Sequence, residues 1–317
     1  MWSARSKTVA ISVVVLAIVI SVAMAGIFGG FQKLYNYTLM SLDAKTDLIV
    51  LNEGENADNS SDLVDAMSLS KELQQSFLKL KGRFLSEDGK SVNYTGIRNS
   101  TEFSELEEKA QKFKFIDLGT LQELEKKALY LNLYNIMTIH ALVRSKPVKS
   151  VLDLTLFWKK MSYNIGGHIV SLDILEHGLI RGNRPHPTSK KSLLPDDSEL
   201  LKYTVKELDP RIHFALNCGA KSCPAIRIYT AENIETALES AAKLFCSTEV
   251  SIDVDTNTIT LSQILEWYGV DFGSNKNEVV KRISAFLSPE EMGKLEKIPV
   301  EKRNIQYKKY DWGLNSA

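Results

Sequence analysis

From residue 63 onward, apolar side chains recur every three to four positions. Leu63, Met67, Leu73, Phe77, Leu80 and Phe84 fall on one side of a helix that the spacing starts near Ser61. The stretch SEDGKSVNYTGIRNST breaks that rhythm, and a second, charged helix is predicted over 102–113. The longest periodic run is TLQELEKKALYLNLYNIMTIHALVRS. Thr120 and Glu123 have the spacing of a capping box, in which two side chains satisfy amides of the first turn. Leu121, Leu124, Ala128, Leu131, Tyr134 and Thr138 make one stripe, and Leu133, Ile136 and Ile139 widen it. A helix apolar nearly all round belongs in the centre of a core. Its polar members Asn132, Asn135 and His140 then need hydrogen-bond partners, and tying down a neighbouring loop is their ordinary role.

After this helix the period changes. KMSYNIGGHIVSL alternates around Gly166-Gly167 and predicts a two-residue hairpin. Ser171 is placed to cap a short helix, LDILEHGLIRG, which carries Asp173 in its first turn, then Glu176, His177 and Arg181, with Gly182 as its stop. Residues 183–209 are loop-rich, with Pro185, Pro187 and Pro195. Residues 211–217 alternate as a strand, with Ile212, Phe214 and Leu216 on one face and His213, Ala215 and Asn217 on the other. A helix over 231–245, a hairpin in VSIDVDTNTITLS and short helices near 264–268, 277–287 and 289–295 complete the pattern. Helices and antiparallel strands in separate runs predict an α+β fold.

The N-terminal segment is of another kind. Residues 8–30 carry no charge and follow Arg5 and Lys7. Such a run is long enough to cross a bilayer, and the basic flank keeps residues 1–7 cytoplasmic. The expectation is a single-pass signal-anchor at 8–30, a linker at 31–60, a helical extension at 61–119 and a globular domain at 120–317, luminal or extracellular. Cleavage after Ala25, within Ala23-Met24-Ala25, is the rival reading and would make the domain secreted. Sequons at Asn36, Asn59, Asn93 and Asn99 agree with that route as glycosylation candidates. Lys plus Arg and Asp plus Glu balance at 39 each, so no basic field exists to hold nucleic acid. No phosphate-loop pattern surrounds the glycine pair, and no cofactor is expected.

The candidate chemistry lies in RIHFALNCGAKSCPAI, which holds two of the three cysteines, Cys218 and Cys223. In an oxidising compartment they could form a disulfide across a turn, leaving Cys246 as a buried apolar residue. They could supply two ligands to a metal with His177 or His213, although the spacing exceeds the usual one. Or one could be a catalytic thiol, with His177 or His213 as base and Glu176, Asn217 or Asn132 as orienter. Lys221 between them would favour a thiolate, and Gly219 would leave room for a substrate carbonyl. Strand parity points Cys218 inward and leaves Cys223 further into the loop.

The blocks KALYLNLYNIMTIHALV, GHIVSLDILEHGLIRG, DPRIHFALNCGAKSCPAIRIYTAENIETAL, LSQILEWYGVDFG and YDWGLN, in this order between 120 and 314, resemble the family catalogued as domain of unknown function 547. Asn217 and Pro224-Ala225 depart from it, since several members carry Val and a Pro-Pro pair there. The resemblance implies, at the level of fold, a papain-like or transglutaminase-like cysteine enzyme. Two functions follow as expectations. One is a membrane-anchored cysteine-dependent hydrolase or acyl-transfer enzyme acting on a peptide or protein substrate. The other is a non-catalytic binding ectodomain with a Cys218–Cys223 bridge.

Overall fold

The computed structural model describes residues 47–54 and 63–317. The expected membrane segment and the sequons at Asn36 and Asn59 lie outside them, and among the described residues no helix is long and apolar enough to span a bilayer. In chain order come β1 (Ile49–Val50), α1 (Ala66–Phe84), α2 (Tyr94–Arg98), α3 (Thr101–Lys112) and α4 (Glu123–Arg144). There follow β2 (Met161–Ile165), β3 (His168–Ser171), α5 (Ile234–Glu249), β4 (Ser251–Asp253) and β5 (Thr258–Leu261). The chain closes with α6 (Lys276–Ile283), α7 (Pro289–Glu296) and β6 (Asn304–Tyr307). Two small mixed sheets, β1-β2-β3 and β4-β5-β6, accompany a majority of helix, so the fold is α+β as the period changes predicted.

α1 begins where Asp65 accepts the Ser68 amide at 2.7 Å, and it buries Leu69, Leu73, Phe77 and Leu80. Leu63 stands before that cap and is 76% exposed, so it does not join the stripe. α4 is buried from Lys126 to Val143. Each leucine removed from water there contributes about 1.5–3 kcal/mol, which is why this helix organises the rest. Its cap lies two residues later than the sequence suggests, because the Glu125 carboxylate accepts the Gln122 amide at 2.7 Å. Among the described residues, α1–α3 and α4 share one hydrophobic core.

The polar residues of α4 brace loops, as their setting required. Asn132 donates to the Tyr229 carbonyl at 2.7 Å and accepts the Tyr229 amide at 3.0 Å. Asn135 repeats the pattern, donating to Ala215 O at 3.0 Å and accepting Asn217 N–H at 2.8 Å. Each amide therefore satisfies both polar groups of a backbone stretch that has no strand partner. His140 spans Tyr163 (2.7 Å) and Glu107 (3.0 Å).

One expected element is absent. The 211–217 stretch is not a strand: Pro210–Phe214 is a 3₁₀ helix. Pro210 cannot donate to a ladder, and its fixed φ suits a first helical turn. Asp209 caps that turn by accepting Arg211 N–H at 3.0 Å. Alternation therefore does not decide where His213 and Cys218 point. The hairpin at Gly166-Gly167 pairs β2 with β3 as expected.

Candidate functional site

The two cysteines meet across the 217–223 loop. Gly219 turns the chain at φ +86°, a conformation that costs residues with a Cβ. Asn217 closes the loop, accepting Gly219 N–H at 2.8 Å and donating to Pro224 O at 2.7 Å. Asn217 is thus a loop clamp, and its amide reaches no imidazole. Three parallel or antiparallel backbone contacts from the C-terminal segment hold the loop: Lys221 N to Gly313 O (2.8 Å), Ser222 N to Asp311 O (3.3 Å) and Asn315 N to Gly219 O (2.9 Å).

Cys218, Cys223 and Cys246 are free thiols. Cys223 is buried and Cys218 half-buried. The Cys223 sulfur accepts the Cys218 backbone N–H at 3.1 Å and lies 3.1 Å from the Tyr310 hydroxyl. The same hydroxyl is 3.5 Å from the Cys218 sulfur. Burial works against ionising Cys223, but the Cys218 thiol, the Tyr310 hydroxyl and backbone amides outweigh it and hold its pKa below the ordinary thiol value. Cys218 goes the other way: as the donor to Cys223 it keeps its proton, and burial adds to this. The two thiols titrate as a pair, in which Cys223 is the more acidic member. Tyr310 is pushed well up by burial and stays a phenol, hence a donor. Cys246, raised by burial to about 12, is inert.

His177, His213 and Glu176 form a second, separate-looking network. Glu176 and His177 sit on Ile174–Ile180, a π-helix, a form that recurs at functional sites. Arg181, 1% exposed, forks onto Asp271 at 2.8 and 3.0 Å and donates to His177 Nδ1 at 3.0 Å. His213 Nε2 meets Asp271 Oδ2 at 2.8 Å, and its ring stacks on Tyr268 at 3.9 Å. Tyr268 donates to Glu176 at 2.6 Å. Burial lowers the pKa of His177 well below normal and also lowers that of His213, against the pull of Asp271. Asp271 is desolvated, yet His213 and Arg181 keep its carboxyl strongly acidic.

The partners of the sulfurs are each other and Tyr310; those of the imidazoles are Asp271, Arg181 and Tyr268. No hydrogen bond between described residues joins a sulfur to His177 or His213. Tyr134 on α4 is buried within electrostatic range of both networks. Burial raises its pKa well up, and Glu176, Cys218, Tyr268 and Cys223 all act on its phenol in that order.

Asp173, His177 and His186 bring ligand-type atoms within 4.8 Å of one another. The two rings pack at 4.3 Å, and His186 is buried. Their hydrogen bonds oppose metal binding. His177 Nδ1 faces the Arg181 guanidinium, and His186 Nδ1 accepts the Thr188 and Ser189 amides at 3.1 and 3.3 Å. Guanidinium and amide groups only donate, so each neutral ring carries its hydrogen on Nε2. A metal at Nε2 needs that nitrogen bare and the hydrogen on Nδ1, where donors already point.

Over residues 118–246 the chain matches the model of the family described as "Protein of unknown function, DUF547". The chain carries a DUF547 domain. No curated protein and no solved structure matches it. The DUF547 stretch supplies Tyr134, Glu176, His177, His213, Asn217, Cys218 and Cys223. Tyr268, Asp271 and Tyr310 come from the chain beyond the DUF547 match. These three are the functional partners that sequence reasoning missed. Blocks LSQILEWYGVDFG and YDWGLN contained them, but nothing in their spacing ties them to a thiol or an imidazole.

Proposed function

We propose that Cys218 and Cys223 form a reactive dithiol that exchanges with substrate disulfides. The observation that carries this reading is the Cys223 sulfur within 3.1 Å of both the Cys218 amide and the Tyr310 hydroxyl. Donors of that kind stabilise a thiolate. The partly exposed Cys218 passes its proton to Cys223 as a disulfide approaches. Its sulfur then bonds to one substrate sulfur, and the other leaves as a thiolate and takes the proton back from Cys223. Cys223 next attacks the Cys218 sulfur, closing the Cys218–Cys223 bridge and releasing the second substrate thiolate, which is protonated by water. Two electrons pass from the protein sulfurs to the substrate, so one disulfide becomes two thiols.

The test is stoichiometric titration of the reduced chain with oxidised glutathione, followed by non-reducing peptide mapping. One intramolecular Cys218–Cys223 bridge with Cys246 unmodified is the expected result. Sulfurs that alkylate independently, with ordinary thiol titrations and no bridge, would sink the proposal. A bridge that forms once and resists dithiol reductants would favour the non-catalytic binding ectodomain.

A second reading is a papain-like cysteine hydrolase or acyl-transfer enzyme on peptide or amide bonds. What favours it is the Asp271 contact to His213 Nε2, which leaves Nδ1 as the basic atom. In that case His213→Gln would abolish labelling of one sulfur by an acyl-type electrophile, whereas the dithiol reading leaves bridge formation intact. For location, the proposal retains the anchor at residues 8–30 with the domain luminal or extracellular. Asn93 and Asn99, both exposed helix-flanking residues, support it as glycan acceptors. Asn93 uses Oδ1 to cap α2, leaving Nδ2 for a glycan.

A further inference from the structure

Tyr310 belongs to two sets at once. On one side its hydroxyl touches both sulfurs, at 3.1 and 3.5 Å. On the other its ring lies 4.6 Å from Trp312 and 4.9 Å from Trp267. Trp267 and Trp312 stack at 5.5 Å, and Trp158 extends the row, 5.8 Å from Trp312. All three tryptophans are half-buried, as is Cys218. The three rings pack against the core on one side and keep part of their surface in water on the other. Contiguous half-buried aromatic rings with a wet face are the kind of surface that takes up a stacking partner. The rings touch one another, which leaves no gap for an ammonium group, so the row is a ridge and not a cation cage.

We propose that Trp158, Trp267 and Trp312, backed by the buried Tyr310, are the substrate platform of the dithiol, and that the substrate is a disulfide carried by a peptide with aromatic or bulky apolar residues beside its cysteine. This rests on the dithiol reading above. The ring row is continuous with the sulfurs through Tyr310. A substrate sulfur that reaches Cys218 therefore has its neighbouring side chains over the rings. An aromatic neighbour stacks there edge-to-face or offset. A small polar disulfide such as oxidised glutathione has nothing to fill the ridge.

The experiment compares two disulfides on the reduced full chain: a cystine-linked peptide with Phe on both sides of the cysteine, and oxidised glutathione. The rate of Cys218–Cys223 bridging is read by mass. The peptide is expected to react about tenfold faster, the ratio given by ~1.4 kcal/mol of added contact. Trp267→Leu and Trp312→Leu should each bring that ratio toward one. A ratio near one in the unaltered chain, or a ratio kept in both variants, would overturn the platform while leaving the dithiol standing. Failure of both disulfides to form the bridge would overturn the dithiol itself. If either variant fails to fold, tryptophan emission decides, because three of the chain's four tryptophans are in the row. A Ser-for-Cys version of the peptide must then shift the emission of the unaltered chain, and no shift counts against the platform.

Discussion

Tyr310 adds to the acidity of Cys223 through a single hydroxyl, so its removal isolates that contribution. A hydrogen bond to a charged group is worth roughly 1.5–3 kcal/mol, or about one to two pKa units. Tyr310→Phe keeps the ring against Trp267 and Trp312 and deletes only the donor. The thiolate loses stabilisation, so the titration midpoint of iodoacetamide labelling at Cys223 moves up by about that amount, and labelling at pH 7 slows. An unmoved midpoint would mean that the Cys218 thiol and the backbone amides set the acidity without Tyr310. The cysteines and His177 and His213 could be singled out by residue type. Tyr310, Tyr268 and Asp271 could not, because each reaches its partner across 58 to 92 residues of sequence. Alternation also misled at 211–217, where Pro210 and the Asp209 cap override a pattern that reads equally well as a strand.

At the scale of an element, α4 contains a flaw that can be repaired. Thr138 is 1% exposed, and its Oγ1 has no hydrogen-bond partner. Thr138→Val keeps the branched shape and removes a desolvated hydroxyl, so it should stabilise by about 1 kcal/mol, seen as a rise of ~2–4 °C in Tm. The thiol turn responds in the opposite direction. A Cβ at Gly219 would meet Leu142 Cδ1 at 2.5 Å and strain a backbone at φ +86°. Gly219→Ala should therefore lower Tm by an amount on the order of 1–2 kcal/mol of strain and return Cys223 toward an ordinary titration, since the loop no longer aims the Cys218 amide. A cooperative melt unchanged from the parent would refute this. Elements with strong local signals were legible: α1, α3, α4 and both hairpins follow their periodicity to within a few residues. The short helix expected over 172–182 is present as Ile174–Ile180, but its π form was not legible, because the spacing of apolar residues does not distinguish an α from a π turn.

Across the whole molecule, buried neutral imidazoles make stability depend on pH. An unfolded histidine takes up its proton near pH 6.5, but folded His186 does so only at about 3, because of burial and the neighbouring His177. His177 and His213 are also depressed. Each therefore stabilises the fold above pH ~6.5 and loses that contribution as pH falls. Asp173, raised by burial to about 7, acts in the opposite sense between pH ~4 and 7, so three imidazoles oppose one carboxyl. Urea midpoints should fall from pH 7 to pH 4.5. His186→Gln should flatten that slope by up to ~1.4 kcal/mol per pH unit. An equal slope in the variant would remove His186 from the account. The way the C-terminal segment is sewn across the thiol loop has a consequence for biosynthesis. Tyr310 lies 87 residues beyond Cys223. A growing polypeptide therefore carries two sulfurs that lack the phenol's hydrogen bond until that late tyrosine has been made and has docked.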